Sequence, residues 1–292
     1  QMNYTIAYLG PAGTYTEEAA LLYARALEHQ SSQACQLRPY ASIDKALHAV
    51  AAGETDLGVV PGENSIGGSV AMTLDTLWQI DRLHIQQAVV LPISHALLSH
   101  GSSLEAIETV YSHPQGLAQC QEWLDAFMPK AQRIPTNSTT QALQSLPQER
   151  TSAAISSLRA AQIYNLPAIA HPINDYPDNC TRFWVVSLGA GETSAFKVSS
   201  SPQLEETVYV SLAFSLPENR PGALVNPLQV LADYGVNLSR IESRPTKRSL
   251  GEYLFFLDFE APGDRDNWEA ALRELETHVE VLKILGNYTV LS

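Results

Sequence analysis

The chain has 292 residues, 18 Lys+Arg against 31 Asp+Glu, and a formal net charge of −13. At roughly 100–200 residues per domain this length suggests two domains or one large one, and 45% hydrophobic with 17% charged residues is an ordinary globular balance. The acidity argues against nucleic-acid or anionic-membrane binding, which need a basic face, and the dispersal of the acidic residues argues against a disordered tail.

Residues 4–10 form a β-prone run ending in Gly-Pro. Thr14 is followed three residues later by Glu17, a capping-box pattern that predicts a helix to about residue 28. Ser42 is placed to cap a helix over 43–52, whose Ile43, Ala46, Leu47 and Val50 share one face and which Gly53 ends. Residues 56–61 read as a buried strand, and Val70, Leu74, Leu77 and Trp78 as another helical stripe. The apolar stretch 85–98 is too long for one strand and contains Pro92, so it is expected to carry the chain between two subdomains. Its unbroken part is far short of the ~20 residues of a membrane helix. Strand signals then recur at 109–113, 152–156, 168–172 and 182–188. Helical ones lie at 115–127, with Pro114 in the first turn, and at 138–146 and 157–164. The pattern predicts βαβ units and a mostly parallel sheet or sheets. Residues 189–206 are rich in Gly, Ser and Glu and read as a linker. Beyond it come strand 208–215, helix 223–234, strands 237–244 and 252–260, helix 264–277 and strand 279–290. That is βαββαβ, the ferredoxin-like order.

In an open α/β sheet, ligands bind where strands run out into helix-initiating loops. The loops at 10–14, 61–65, 112–115, 137–140 and 179–183 are rich in hydroxyls, amides and glycines, which suit a carboxylate or phosphate. Each of these side chains also serves as an ordinary helix cap; it is the convergence of five loops that points to a polar cleft. Arg182 enters an apolar strand, where it needs a partner: a ligand carboxylate or an ordinary ion pair. Glu63 follows a buried strand and is a general acid or a helix-dipole partner. His113 ends a strand and either titrates or is structural. There is no GxSxG, P-loop, HExxH or paired CxxC. Gly189-Ala-Gly191 is half a dinucleotide fingerprint in the wrong context. Cys35, Cys120 and Cys180 are odd in number and far apart, which points to reduced thiols and a cytoplasmic protein. No basic-then-apolar start is present, so no secretory signal is expected.

The motifs Gly10-Pro-Ala-Gly13-Thr14-Tyr15-Thr16, Val-Val-Pro-x-Glu63-Asn64-Ser65, Tyr111-Ser112-His113-Pro114-Gln115 with Gln119-Cys120, Asn179-Cys180-Thr181-Arg182-Phe183, Gly222-Ala-Leu-Val225 and Glu242-Ser-Arg-Pro245 stand in this order. With them the sequence resembles prephenate dehydratases that carry a C-terminal ACT domain, over nearly the whole chain. One departure is Gly62, where the family usually has Ile; it is expected to loosen the loop. No counterpart of the chorismate mutase region of fused relatives is expected within these residues.

The resemblance implies an α/β fold: a two-subdomain, periplasmic-binding-protein-like (type II) catalytic domain at 1–189, a linker at 190–206 and a ferredoxin-like ACT domain at 207–292. It implies loss of CO2 and water from prephenate to give phenylpyruvate on the route to phenylalanine, without metal or organic cofactor. Thr181, Arg182 and Glu63 would be catalytic: a donor to the departing oxygen, a carboxylate holder and a proton source. Asn64, Ser65, Ser112, Gln119, Phe183 and Thr14 would bind or frame the substrate. Gly222, Ala223, Leu224, Val225, Glu242, Ser243, Arg244 and Pro245 would bind phenylalanine at a domain–domain interface and inhibit the enzyme. A homodimer or homotetramer is expected, with no nucleic-acid or membrane partner. Alternatives are arogenate dehydratase, which the motifs do not separate, and a non-catalytic amino-acid sensor, which would have no need of Thr181-Arg182-Phe183. Residues 1–189 hold nine Lys+Arg against 16 Asp+Glu, so a dianionic substrate must be held mainly by neutral donors.

Overall fold

A computed structural model describes residues 3–137, 139–189, 195–199, 207–261 and 264–291. The first lobe is built from β1 (Tyr4–Leu9), α1 (Tyr15–Ser31), β2 (Cys35–Tyr40), α2 (Ile43–Ala51), β3 (Leu57–Asn64), the short β4 (Gly68–Ser69), α3 (Ala71–Gln79) and β5 (Leu83–Pro92). The chain then crosses to a second lobe. There it forms β6 (Ala96–Leu98), β7 (Thr109–Ser112), α4 (Pro114–Gln119), α5 (Gln121–Phe127), β8 (Gln132–Pro135), α6 (Thr139–Ser145), β9 (Ser152–Ser156), α7 (Leu158–Ile163) and β10 (Ala168–Ala170). It returns to the first lobe through β11 (Cys180–Leu188). The C-terminal unit is β12 (Tyr209–Ser215), α8 (Val225–Asp233), β13 (Leu238–Pro245), β14 (Tyr253–Glu260), α9 (Arg265–Glu276) and β15 (Val281–Tyr288), followed by β16 (Val290–Leu291).

The first sheet has the order β16-β5-β11-β3-β1-β2, with β4 on β3. It is mixed, not mostly parallel: β1 is parallel to β2 and β3, but β11 runs antiparallel to both β3 and β5. The reversal follows from the two crossings, because a strand that returns from the second lobe enters the sheet from the opposite end. This double crossing is the type II arrangement. As expected, the 85–98 stretch divides, β5 in one sheet and β6 in the other. The second sheet has the order β10-β6-β9-β7-β8. The third, β13-β14-β12-β15, is antiparallel throughout.

The α2 stripe is buried as its spacing requires, with Ala46, Leu47 and Val50 inaccessible. One face of the third sheet packs on α8 and α9 through Leu212, Phe214, Leu257, Trp268 and Leu275. Its other face joins the first lobe: Ala213, Phe256, Leu285 and Tyr288 share a core with Leu47, Leu74, Ile85 and Trp184. At Gly286 an added Cβ would lie 2.4 Å from the Ile85 carbonyl oxygen, so only glycine lets β15 approach β5 this closely.

The expected last strand is divided, β15 staying in the third sheet while β16 joins β5 of the first. Of the proposed linker, 190–194 and 200–206 lie outside the described residues, and Val198 is buried among Ile6, Tyr23 and Leu291. No helix of the described residues is long and apolar enough to cross a membrane. The three cysteines are free, and burial pushes the Cys120 thiol up to about 12.

Candidate active site

The ends of β3 and β11 pair antiparallel, Thr181 opposite Asn64 and Arg182 opposite Glu63. Paired residues share a face and successive residues alternate, so the four side chains divide two and two. Thr181 and Asn64 face the seam between the lobes and are 7% and 5% exposed. The Asn64 Oδ1 accepts from the backbone N–H groups of Ile66 (3.0 Å) and Gly67 (2.8 Å). Those two donors fix the amide's orientation. Its Nδ2 therefore faces Thr181 Oγ1 at 2.8 Å and Asn179 Oδ1 at 2.9 Å. Thr181 is an acceptor in this contact, and among the described residues its own hydroxyl hydrogen has no acceptor.

The second lobe contributes Gln119, at the end of α4. Its Nε2 donates to Asn64 Oδ1 at 3.2 Å. Its Oε1 accepts from Asn179 Nδ2 at 3.0 Å and faces His95 Nε2 at 2.8 Å. The lobes also touch where a Cβ on Gly67 would stand 2.8 Å from Gln115 Nε2, where Ser157 Oγ donates to the Gly13 carbonyl at 2.9 Å, and where Arg159 pairs with the buried Glu17. Glu17 does not complete the expected capping box: its carboxylate accepts from the Gly13 N–H and Tyr8 hydroxyl, each 3.2 Å away.

The other expected binders serve the frame. Ser65 Oγ accepts from the Cys180 N–H at 2.9 Å and fastens the loop to β11. Ser112 is buried and its hydroxyl donates to the Ile155 carbonyl at 3.1 Å. Thr14 caps α1, accepting from the Glu17 N–H at 3.2 Å. Phe183 is a core residue beside Tyr8 and Leu91. His113 caps α4 through its ring, with Nδ1 3.2 Å from the Gln115 N–H. Of the loop 137–140, Ser138 lies outside the described residues. Glu63 and Asn64, expected in a loop, end the strand instead.

Arg182 and Glu63 are not brought to Thr181. They turn to the opposite face, toward the third sheet. Arg182 lies over the Tyr209 ring at 5.1 Å, its Nη1 3.8 Å from Glu63 Oε2, and its buried Nε has no hydrogen-bond partner among the described residues. Arg240 of β13 completes this cluster. It bonds Asp258 through Nε at 2.7 Å and Nη2 at 3.1 Å, Ser69 Oγ at 2.7 Å, and stands 3.8 Å from Glu63. Its guanidinium also covers the Trp184 ring at 5.4 Å. Burial works against the Arg240 charge, but the Asp258 and Glu63 carboxylates outweigh it and raise its pKa. Gly62 faces the same way. A Cβ there would meet the Trp184 ring at 2.8 Å, so the glycine seats an indole and does not loosen a loop.

The model for the family described as prephenate dehydratase matches residues 6–190, and that for the ACT domain matches residues 210–277. The chain belongs to the prephenate dehydratase family. The prephenate dehydratase of Methanocaldococcus jannaschii is 34% identical over 290 residues, 99% of each chain. The bifunctional chorismate mutase/prephenate dehydratase of Neisseria gonorrhoeae is 40% identical over 287 residues, 97% of this chain and 74% of that one. The crystal structure of prephenate dehydratase from Arthrobacter aurescens in complex with L-Phe superposes with a TM-score of 0.81 at 32% identity, covering 98% of this chain and 90% of that one. Members of the prephenate dehydratase family are carbon–oxygen lyases, and the seam of neutral donors around Thr181 falls within the matched region.

In the ACT domain, β12 and β13 run parallel on either side of β14, so residues 222–225 and 242–245 lie at one end of the sheet, two strands apart. Gly222 has φ +80 and makes the turn into α8. Arg244 is already engaged: it forms a two-pronged contact with Asp75 of α3 at 3.0 and 2.8 Å, across the domain boundary. A cavity of about 190 Å³ opens at this end, lined by Leu216, Asn219, Arg248, Tyr253 and Glu280 among others. Sequence reading of the dehydratase half missed His95 and Asn179 as members of the buried cluster. Asn179 had a signal, its place beside Thr181 in a strand-end loop. His95 had none, since nothing local marks where the crossing segment meets Gln119.

Proposed function

We propose that this chain converts prephenate to phenylpyruvate on the route to phenylalanine, in the cytoplasm, with Thr181 as the hydrogen-bond donor to the departing hydroxyl. The observation that carries this reading is the fixed Asn64 amide, which makes Thr181 Oγ1 an acceptor at 2.8 Å and leaves its hydrogen to be given away. In the reaction the ring carboxylate leaves as CO2. Its bonding electrons enter the ring as the carbon–oxygen bond at C4 breaks, and the oxygen departs as water, taking its net proton from solvent while Thr181 donates a hydrogen bond to it. Aromatisation drives the step, so the protein's task is orientation and stabilisation of the leaving oxygen. Gln119 and Asn64 hold that geometry from the two lobes. With Arg182 turned to the ACT domain, the substrate's carboxylates fall to hydroxyls and amide N–H groups in the seam. Glu63 shares the side of Arg182, which counts against it as the proton source.

The experiment is release of phenylpyruvate from prephenate by the purified protein, read by its absorbance in alkali, beside kcat/KM on arogenate. No phenylpyruvate, or a clear preference for arogenate, overturns the reading. We further propose that phenylalanine binds at the end of the ACT sheet that carries residues 222–225 and 242–245, between two side-by-side copies of that sheet, and inhibits. The L-Phe complex of the Arthrobacter relative supports this. Equal activity with and without millimolar phenylalanine removes it, and a monomer by light scattering removes the paired site.

A further inference from the structure

We propose that His95 is a positioning residue of the active site, acting through Gln119; the inference rests on the reading of Thr181, Asn64 and Gln119 as the elimination site. His95 is 7% exposed and lies where the chain has just crossed from β5 into the second lobe. It stands behind Gln119, on the side away from Asn64.

The polarity of the cluster is determined link by link. Asn64 Oδ1 is fixed as an acceptor by two backbone N–H groups, so Gln119 must present its Nε2 there. Gln119 Oε1 is then forced to the opposite side, toward His95 Nε2 and Asn179 Nδ2. His95 must therefore carry its hydrogen on Nε2. Burial lowers the His95 pKa more than the bond to Gln119 raises it, which keeps the ring neutral and this tautomer in place. Tyr15 packs edge-on against the ring, centroids 5.8 Å apart, and donates its hydroxyl to the Ser94 carbonyl at 2.7 Å. The ring is thus held from behind as well.

A flipped Gln119 amide would set its NH2 against the N–H groups of His95 and Asn179. Without the His95 donor one of those two restraints is gone. The amide then rotates more freely, held on that side by Asn179 alone. Gln119 Nε2 has a second hydrogen with no acceptor among the described residues. In the locked orientation that hydrogen and the Thr181 hydroxyl form a pair of donors held from two different lobes. His95 touches neither reacting atoms nor substrate in this scheme; its effect is on where that pair points.

The test uses the full chain and initial rates of phenylpyruvate formation. His95→Met, which has no donor, is expected to lower kcat roughly 10–100-fold, the cost of loosening a positioned group, with KM within about 3-fold. His95→Gln, whose Nε2 can stand where the imidazole Nε2 stood, is expected to return kcat to within about 3-fold of the parent. In a Gln119→Ala background His95→Met is expected to have almost no further effect, because its path is gone. A purely structural role for His95 would carry its full loss onto Gln119→Ala. That result, an unchanged kcat in His95→Met, or a His95→Gln variant as slow as His95→Met, each overturns the proposal. If His95→Met does not fold, His95→Asn, a polar side chain too short to reach Gln119, takes its place. A parent protein that does not turn over prephenate sinks the reading of the function instead, so the two failures are distinct.

Discussion

The two faces of the β3–β11 strand pair do different work although the residues are neighbours in sequence. Thr181 and Asn64 enter a closed network of neutral groups between the lobes. Arg182 and Glu63, one residue away on each strand, enter a cluster of charges and rings between the catalytic sheet and the ACT sheet. A contiguous motif such as Thr181-Arg182-Phe183 is thus shared out by the twofold alternation of a strand. Its middle residue belongs to the domain interface and its outer two to the side that faces the seam and the core beneath it. The same alternation puts Glu63, beside the group that holds Thr181, within 3.8 Å of Arg240 on the ACT domain.

The largest effect should separate the faces outright. Thr181→Ala is expected to lower kcat by roughly 10²–10⁴, the range for a group that assists proton transfer to a leaving atom, with an unchanged circular dichroism spectrum. Glu63→Gln, on the other face, should keep kcat within about 10-fold, since general-acid roles typically contribute more than that. Equal losses in the two variants would erase the division.

Next in size is the interface face on its own. Arg240→Met leaves Asp258, 1% exposed, without its counter-charge. Breaking a buried pair from one side costs about 3–5 kcal/mol, to be read as a fall in the denaturation midpoint. A change under about 1 kcal/mol would mean that the pair is open to water. Gly62→Ile should cost about 1–3 kcal/mol by overpacking against Trp184. Adding Trp184→Leu should recover part of that loss, because the two positions share one volume. If the single change is neutral, the indole is not what Gly62 accommodates.

Much of this was legible in the sequence. The capping pair at Thr14 and Glu17 marked the start of α1, the Pro92 break marked the crossing between lobes, and the motif loops named Asn64, Gln119 and Thr181. The side of the sheet was legible too, because period-2 alternation sends Arg182 away from Thr181; reading the motif as one unit concealed it. What could not be read were long-range meetings. His95 and Gln119 are 24 residues apart and join only because the crossing segment packs against the end of α4. Strands β2 and β8 carry little apolar signal, since each sits at a sheet edge with half-exposed faces. The bond of Arg244 to Asp75 likewise depends on how two domains dock, which no local pattern encodes.

That last contact gives the smallest expected effect and a way to time the interface by pH. Burial pushes the Asp75 carboxyl up, but hydrogen bonds and charges from Arg244 and Lys247 outweigh it and hold the group below the usual 3.8. The unfolded chain therefore binds this proton more readily than the folded one. The stabilisation is whole above about pH 5 and drains as the pH falls through 3.8 and below. The buried His95 and the half-buried His84 have lowered values against the usual 6.5, so they too cost stability in acid, but in an earlier window, as the pH falls below 6.5 and the unfolded histidines charge. Denaturation midpoints for the parent and Asp75→Asn should run parallel from pH 7 to 5, Asp75→Asn lower throughout, and converge toward pH 3. Curves that stay parallel down to pH 3 would show that the Arg244 contact contributes no charge-dependent stability, leaving the docking of the two domains to their shared apolar core and the Arg240 contacts.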